Sequence, residues 1–251
     1  MFPEFKIYNT TIHTYNIMLL VGMIVSFLVY DYQLKKDKFQ GDSRYYELIP
    51  YLFIIGLLGA SVFELLFQGE RFTLYHLLQG GKTFYGGVIF CVVFLILYCQ
   101  WHKLNYLEIV GRLVLPMVIG HSLGRIGCFL GGCCFGKPTS LWFGVSFPKG
   151  STPYQLHGDN TLIPTQLIEA TLLVFVFVTL LKIKDRNFHL SVYLLCYGTF
   201  RFLIEIIRYD DRGESFISIL SPAQFISVIL IIAGTVLLFY FKRKKTKFSN
   251  D

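Results

Sequence analysis

The sequence predicts an all-α, polytopic bundle of about seven membrane-spanning helices with an outer-surface cap, in a single integral membrane domain over residues 1–251. Three observations predict it. The composition is 54% hydrophobic with a mean hydropathy of +0.54, above the roughly 45 to 50% apolar content of soluble domains. Apolar runs of about 20 residues, the length a bilayer crossing needs, recur between shorter polar segments. Basic residues cluster at the ends of alternate runs, as in Lys35, Lys36, Lys38 and Arg44, then Lys182, Lys184 and Arg186, then Lys242, Arg243, Lys244, Lys245 and Lys247.

The spans fall at about 11–30, 46–67, 84–101, 106–123, 164–183, 188–208 and 222–241. With that count the three basic clusters share one side. The positive-inside rule then sets the N-terminus outside and the C-terminus, with its basic tail 242–251, in the cytoplasm. Residues Met1 to Thr10 lack the strongly basic start of a secretory signal, and no small-x-small site ends the first run, so that run is expected to be retained. The net charge of +7 belongs largely to these anchors and does not imply nucleic acid.

In chain order, His13, Tyr15 and Asn16 put polar groups at the start of the first span, where tyrosine is often part of an aromatic belt. Glu64 lies at membrane depth in the second span, a placement that calls for a partner or a wet cavity. The segment from Gln68 to Lys82 contains the amphipathic piece RFTLYHLL and is expected at the interface. Tyr85, Gly86 and Gly87 open the third span; glycines there let either a lipid headgroup or another helix come close.

The fourth span carries Arg112 near its cytoplasmic end, where the side chain is expected to snorkel. It runs into Gly120 to Gly136, which packs six glycines, three cysteines and the lone charge of Arg125 into seventeen residues. Gly124, Gly127 and Gly136 permit close approach, and Arg125 is a permanently charged fork shaped to grip a phosphate or carboxylate. Residues 137–163 carry Pro138, Trp142, Pro148 and Pro153 with strand-like LWFGVSF, and are expected to form the outer cap.

The fifth span begins PTQLIE, with Pro164 at a first helical position and Glu169 one turn in. In the sixth, Tyr197, Arg201, Glu205 and Arg208 are spaced four, four and three apart, one stripe of a helix. A charge at the bilayer centre costs about 2.5 to 3.5 kcal/mol, so this stripe must face a polar interior. An Arg201–Glu205 pair explains two of its members but not Arg208 or the distant Arg125, and two or three arginines converging in a cavity suit an anionic phosphate.

Taken together these motifs resemble the bacterial prolipoprotein diacylglyceryl transferases over nearly the whole chain. Gly124 to Gly127 (GRIG) followed by Phe129 is similar to that family's signature loop, with Arg125 at its essential arginine. Tyr197, Arg201, Glu205 and Arg208 resemble its second essential segment. Tyr15 in HTYN is similar to its first-span tyrosine, and PTQLIE to its P-[ST]-Q-L-Y-E segment. The resemblance implies a seven-span plasma-membrane enzyme that moves the diacylglyceryl group of phosphatidylglycerol to the thiol of a lipobox cysteine in a secreted prolipoprotein, with glycerol-1-phosphate leaving. The protein is expected to be a monomer among membrane lipids, with no cofactor, metal or nucleic acid.

Under that resemblance Arg125 and Arg201 hold the developing phosphate charge, while His121, His13 and Tyr85 stand as candidates for the base. Tyr15, Gly86, Gly87, Gly124, Gly127, Cys128, Gly136, Glu169, Tyr197, Glu205 and Arg208 are the candidate substrate-binding positions. The chain departs from the family pattern at Tyr85 and Ile163, where histidines are usual, at Cys128, where asparagine is usual, and at Cys133, where glutamate is usual. Those departures keep open a non-catalytic or thiol-redox membrane protein that binds anionic phospholipid on the same scaffold. The C-x4-C-C of Cys128, Cys133 and Cys134 lacks the paired spacing and the fourth ligand of a zinc site. A disulfide or plain packing by small residues is the expectation there.

Overall fold

The computed structural model describes residues 4–7, 10–37, 39, 42–68, 84–209 and 219–250. A short antiparallel hairpin, β1 (Glu4–Ile7) and β2 (Thr10–His13), pairs Glu4 with His13 and leads directly into α1 (Thr14–Lys36). The helices that follow are α2 (Ser43–Tyr46), α3 (Leu48–Gln68), α4 (Phe84–His102), α5 (Tyr106–Gly131), α6 (Thr152–His157), α7 (Thr165–Lys182), α8 (Asn187–Ile207) and α9 (Pro222–Asn250). Apart from the hairpin and isolated bridges, the regular structure of the described residues is helical, as backbone groups in hydrocarbon require.

Among the described residues, six helices are long and apolar enough to cross a membrane, and Gly86–His102 within α4 is a shorter apolar one. Each expected span falls on one of these helices. Their outward faces carry Phe175, Leu203, Val236 and Phe239, all exposed, which suits contact with lipid tails. The expected interfacial piece at 71–78 lies outside the described residues, and of Tyr85 only the backbone, in α4, is described.

Two compact units emerge, residues 27–110 and residues 1–26 with 111–251. In the first, α3 and α4 cross on glycines: a Cβ on Gly86 would lie 2.2 Å from the Phe63 Cβ, and one on Gly87 would lie 2.8 Å from the Gly56 carbonyl oxygen. Gly86 and Gly87 therefore stand at a helix–helix crossing, one of the two roles open to them from sequence. Cys91 also joins this crossing, its Sγ lying 3.2 Å from the Leu52 carbonyl oxygen.

The second unit holds the charged residues of the core. Here α5 continues to Gly131, past the expected end of its span near 123, although Pro116 lies inside it. The reason is the use of its small residues. A Cβ on Gly120 would meet the Ser26 Oγ at 2.5 Å, and one on Gly127 would meet the Met18 Cβ at 3.0 Å, so these glycines form a helix face against α1. The Ser26 hydroxyl donates to the Pro116 carbonyl at 2.8 Å, and the Ser122 hydroxyl donates to the Ala170 carbonyl at 3.0 Å, joining α5 to α7. Arg112, expected to snorkel, is instead buried at 7% exposure.

The cap holds little strand. Val145 and Pro138 each bridge Leu162, and the LWFGVSF segment turns at Gly144, whose N–H reaches the Leu141 carbonyl at 2.9 Å. Phe135, Phe147 and Leu162 make a small apolar core beneath it. The prolines and glycines interrupt any longer ladder. Ser151 caps α6, its hydroxyl accepting from the Tyr154 N–H.

Helices α8 and α9 pack through Gly198 and Gly234, where added Cβ atoms would approach Ile231 at 2.9 Å and Leu195 at 3.0 Å. Valine at either position is expected to separate the helices and cost about 1 to 3 kcal/mol, read as a lower unfolding midpoint in detergent, whereas Gly150→Ala, in open space, should cost less despite its positive φ.

Candidate active site

The first turn of α7 builds one wall of the site. The Thr165 hydroxyl donates to the Cys134 carbonyl at 2.7 Å, and the Gln166 side-chain amide donates to the Cys133 carbonyl. One turn on, Glu169 is almost wholly buried at 1% exposure. Its Oε1 meets the Arg125 Nη2 at 2.8 Å and accepts the Tyr197 hydroxyl at 3.1 Å. The His121 Nε2 stands 4.0 Å from the same oxygen. A buried carboxylate is tolerated because a guanidinium neutralises it and a hydroxyl hydrogen-bonds it.

Three helices contribute to this cluster. His121 and Arg125 are one turn apart on α5, Glu169 comes from α7, and Tyr193 and Tyr197 are one turn apart on α8. The Tyr193 hydroxyl and the His121 Nδ1 are 3.4 Å apart. The two tyrosine rings stack with centroids 5.5 Å apart, and the imidazole meets Tyr197 edge-on at 5.0 Å.

Further along α8, the Arg201 Nη2 lies 2.7 Å from the Glu205 Oε2, and the Arg208 Nε lies 3.9 Å from that oxygen. The other Glu205 oxygen accepts the Ser221 hydroxyl at 3.0 Å. Arg201 and Arg208 are buried, while Leu203 and Ile206 are exposed on the opposite side, so the charged stripe faces inward.

The buried pairs do not use up all their polar atoms. The Arg201 Nη1, the Arg125 Nε and the Glu169 Oε2 are buried without a hydrogen-bond partner among the described residues. The Arg201–Glu205 contact is close, yet neither the Nη2 nor the Oε2 finds an aligned hydrogen bond. Leaving such groups unmade costs about 1 to 3 kcal/mol each, more when charged. Both Arg125 and Arg201 act electrostatically on His121 and on Tyr197, so the two guanidinium groups address one neighbourhood. What this arrangement suits chemically is an anion with several oxygens.

The remaining candidates divide. Tyr15, at the start of α1, packs on Gly127 and Gly131 and lies within electrostatic reach of Arg125 and of all three cysteines. Gly124 has nothing within 4 Å of where a Cβ would be, whereas Gly136 is closed in by the Ile207 carbonyl at 2.8 Å and bridges Arg208 through its backbone. Gly86, Gly87 and Tyr85 belong to the other unit. His13, exposed, ends β2.

Cys128 stands in the last turn of α5 with Cys133 and Cys134 close by, the three sulfurs lying within 4.8 Å of one another. Arg208 lies close enough to Cys134 to favour its thiolate. The Cys133 thiol donates to the Cys128 backbone carbonyl at 3.6 Å.

Sequence reasoning missed Tyr193. The signal was present: it lies four residues before Tyr197, so extending the α8 stripe by one turn reaches it.

The fold and these residues define a polytopic helical membrane protein whose interior carries paired arginines. The chain belongs to the prolipoprotein diacylglyceryl transferase family, whose model matches residues 4–240. It is 29% identical over 235 residues to a phosphatidylglycerol–prolipoprotein diacylglyceryl transferase of Clostridium tetani, covering 92% of this chain and 93% of that protein. It is 27% identical over 240 residues to a second such transferase of Clostridium perfringens, covering 92% of each chain. With the transferase of Teredinibacter turnerae the identity is 30% over 239 residues, 91% of this chain and 82% of the relative.

Glu169→Gln leaves Arg125 buried beside a neutral amide and is expected to lower stability by about 3 kcal/mol. The double change Arg125→Gln, Glu169→Gln should cost less than the sum of the single changes. A double-mutant cycle on unfolding in detergent checks this through the coupling energy.

Proposed function

We propose that this chain is a phosphatidylglycerol–prolipoprotein diacylglyceryl transferase in which Arg125 and Arg201 hold the phosphate of the lipid and His121 takes the proton of the acceptor thiol. Family membership carries the reaction. The observation that carries the residue assignment is the pair of buried guanidinium groups, each with an unsatisfied donor nitrogen, acting on the same histidine and tyrosine.

The lipobox cysteine gives up its S–H proton to the imidazole, and the thiolate attacks the glyceryl carbon bonded to the phosphate oxygen. A carbon–sulfur bond forms, the carbon–oxygen bond breaks, and the electron pair leaves with glycerol-1-phosphate. Charge grows on the departing phosphate, and fixed donors aimed at it lower the barrier. Glu169 and Glu205 orient the two arginines, leaving Nε of Arg125 and Nη1 of Arg201 for the ligand. Tyr193 fixes the imidazole through Nδ1, and Tyr197 and Tyr15 line the headgroup's path. The open side of Gly124 gives the lipid room next to Arg125.

The protein works as a monomer in the bacterial plasma membrane, N-terminus outside and C-terminus cytoplasmic. Supporting this orientation are the basic ends of α1, α7 and α9, at Lys35 and Lys36, at Lys182, and from Lys242 to Lys245, which share one side in a seven-span chain.

Arg125→Ala and Arg201→Ala are each expected to reduce transfer at least about 100-fold, and lysine at either position should restore little of it because the paired donors are lost. Mass analysis of a lipobox peptide incubated with phosphatidylglycerol and the purified variants reads this; near-normal transfer by both alanine variants would refute the assignment. His121→Gln should lower kcat by about 100-fold or more with little change in KM, and Tyr193→Phe should lower it less. If His121→Gln keeps both the rate and its pH profile, another group is the base.

A further inference from the structure

Nothing in the transfer chemistry calls for three thiols at the end of α5. The Gly132 N–H reaches the Phe129 carbonyl at 3.2 Å, and the Cys133 N–H reaches the Cys128 carbonyl at 3.1 Å. This hydrogen-bond pair is the Schellman ending of a helix, with Gly132 in the left-handed region at φ 72°. That ending folds the second residue after the helix back over the last turn, a contact normally filled by two apolar side chains. Here it is filled by the thiols of Cys133 and Cys128.

The next residue departs further from the ordinary. Cys134 has φ 65°, a conformation unfavourable for any residue with a Cβ. With it the third sulfur joins the first two, all within 4.8 Å of one another. The carbonyls of Cys133 and Cys134 are tied to Gln166 and Thr165, so the main chain that presents the sulfurs is anchored on α7. Arg208 lies within electrostatic reach of Cys134, and Arg125 of Cys128 and Cys134.

We propose that Cys128, Cys133 and Cys134 form a three-coordinate thiolate site for a soft, thiophilic metal ion of the copper(I) class. A disulfide uses two sulfurs and leaves the third converged sulfur without a purpose, and small-residue packing requires no convergence at all. A closed zinc site takes four ligands, and among the described residues no imidazole or carboxylate joins this cluster. Copper(I) selects soft thiolates and needs no fourth. Three thiolates and one monovalent ion carry a net charge of −2, and the nearby guanidinium groups of Arg208 and Arg125, which also face Glu205 and Glu169, lessen its cost. The C-x4-C-C run lacks the paired spacing and the fourth ligand of a zinc site, and a trigonal copper(I) ion needs neither.

The test uses the full-length protein in detergent, reduced and anaerobic, titrated with copper(I) against a chromophoric copper(I) chelator. One equivalent should be retained, with a thiolate-to-copper absorption band in the near ultraviolet. The Cys128→Ser, Cys133→Ser, Cys134→Ser variant should bind roughly 100-fold more weakly, and the Cys91→Ser, Cys99→Ser, Cys196→Ser variant should bind as the parent does. Should the first variant fold poorly, Cys134→Ser alone, which keeps the Cys128–Cys133 contact, should show the same loss. Equal copper retention with and without the three cysteines overturns the site. So does a disulfide mapped by mass spectrometry between any two of them in protein purified without reductant. Copper retention is read without lipid or peptide, so its outcome is independent of the transferase assignment.

Discussion

A charge far from water must have an opposite charge beside it, and the second unit is arranged around that requirement. Glu169 and Arg125 come from different helices and meet at 2.8 Å. Each would be expensive to bury alone, by several kcal/mol, so α5 and α7 are held in one register by the need to keep them together. Arg201 and Glu205 satisfy the same rule within one helix, at the i, i+4 spacing. The inter-helix pair constrains tertiary structure, and the local pair constrains only the direction in which α8 faces.

Close approach of the helices makes the pairing geometrically possible. Gly120 and Gly127 bring α5 against α1, and Gly198 and Gly234 bring α8 against α9. In lipid, where burying apolar surface gives helices little reason to associate, small residues allow the dispersion contacts and short polar links that do. The Ser26 and Ser122 hydroxyls supply such links from α1 and α5 to neighbouring carbonyls. Arg125 thus sits on a helix fixed on two sides, a suitable mount for a group that must be aimed before the ligand arrives. The end of that helix is fixed as well, because Thr165 and Gln166 hold the carbonyls that follow it.

Much of this was legible in the linear chain, and the parts that were not share a cause. The seven apolar runs, the inward stripe of Tyr197, Arg201, Glu205 and Arg208, and the start of α7 at PTQLIE all follow from local periodicity and turn chemistry. The run from Gly120 to Gly131 was harder. Its glycines permit close approach without saying to what, and the presence of α1 opposite Gly120 and Gly127 decides for a helix face. LWFGVSF has strand composition, yet just Val145 finds a partner in Leu162, because strand formation needs a neighbour that composition does not supply.

Sequence alone determined the membrane class, the helical spans and the need for a polar interior, since hydropathy and charge cost are properties of each residue in its own segment. Tertiary structure alone decided which carboxylate neutralises Arg125, that Tyr193 stands beside His121, and that three cysteines spread over seven residues bring their sulfurs together. Those outcomes depend on distances between helices and on the two left-handed residues Gly132 and Cys134 either side of Cys133. Periodicity along one helix carries no information about either.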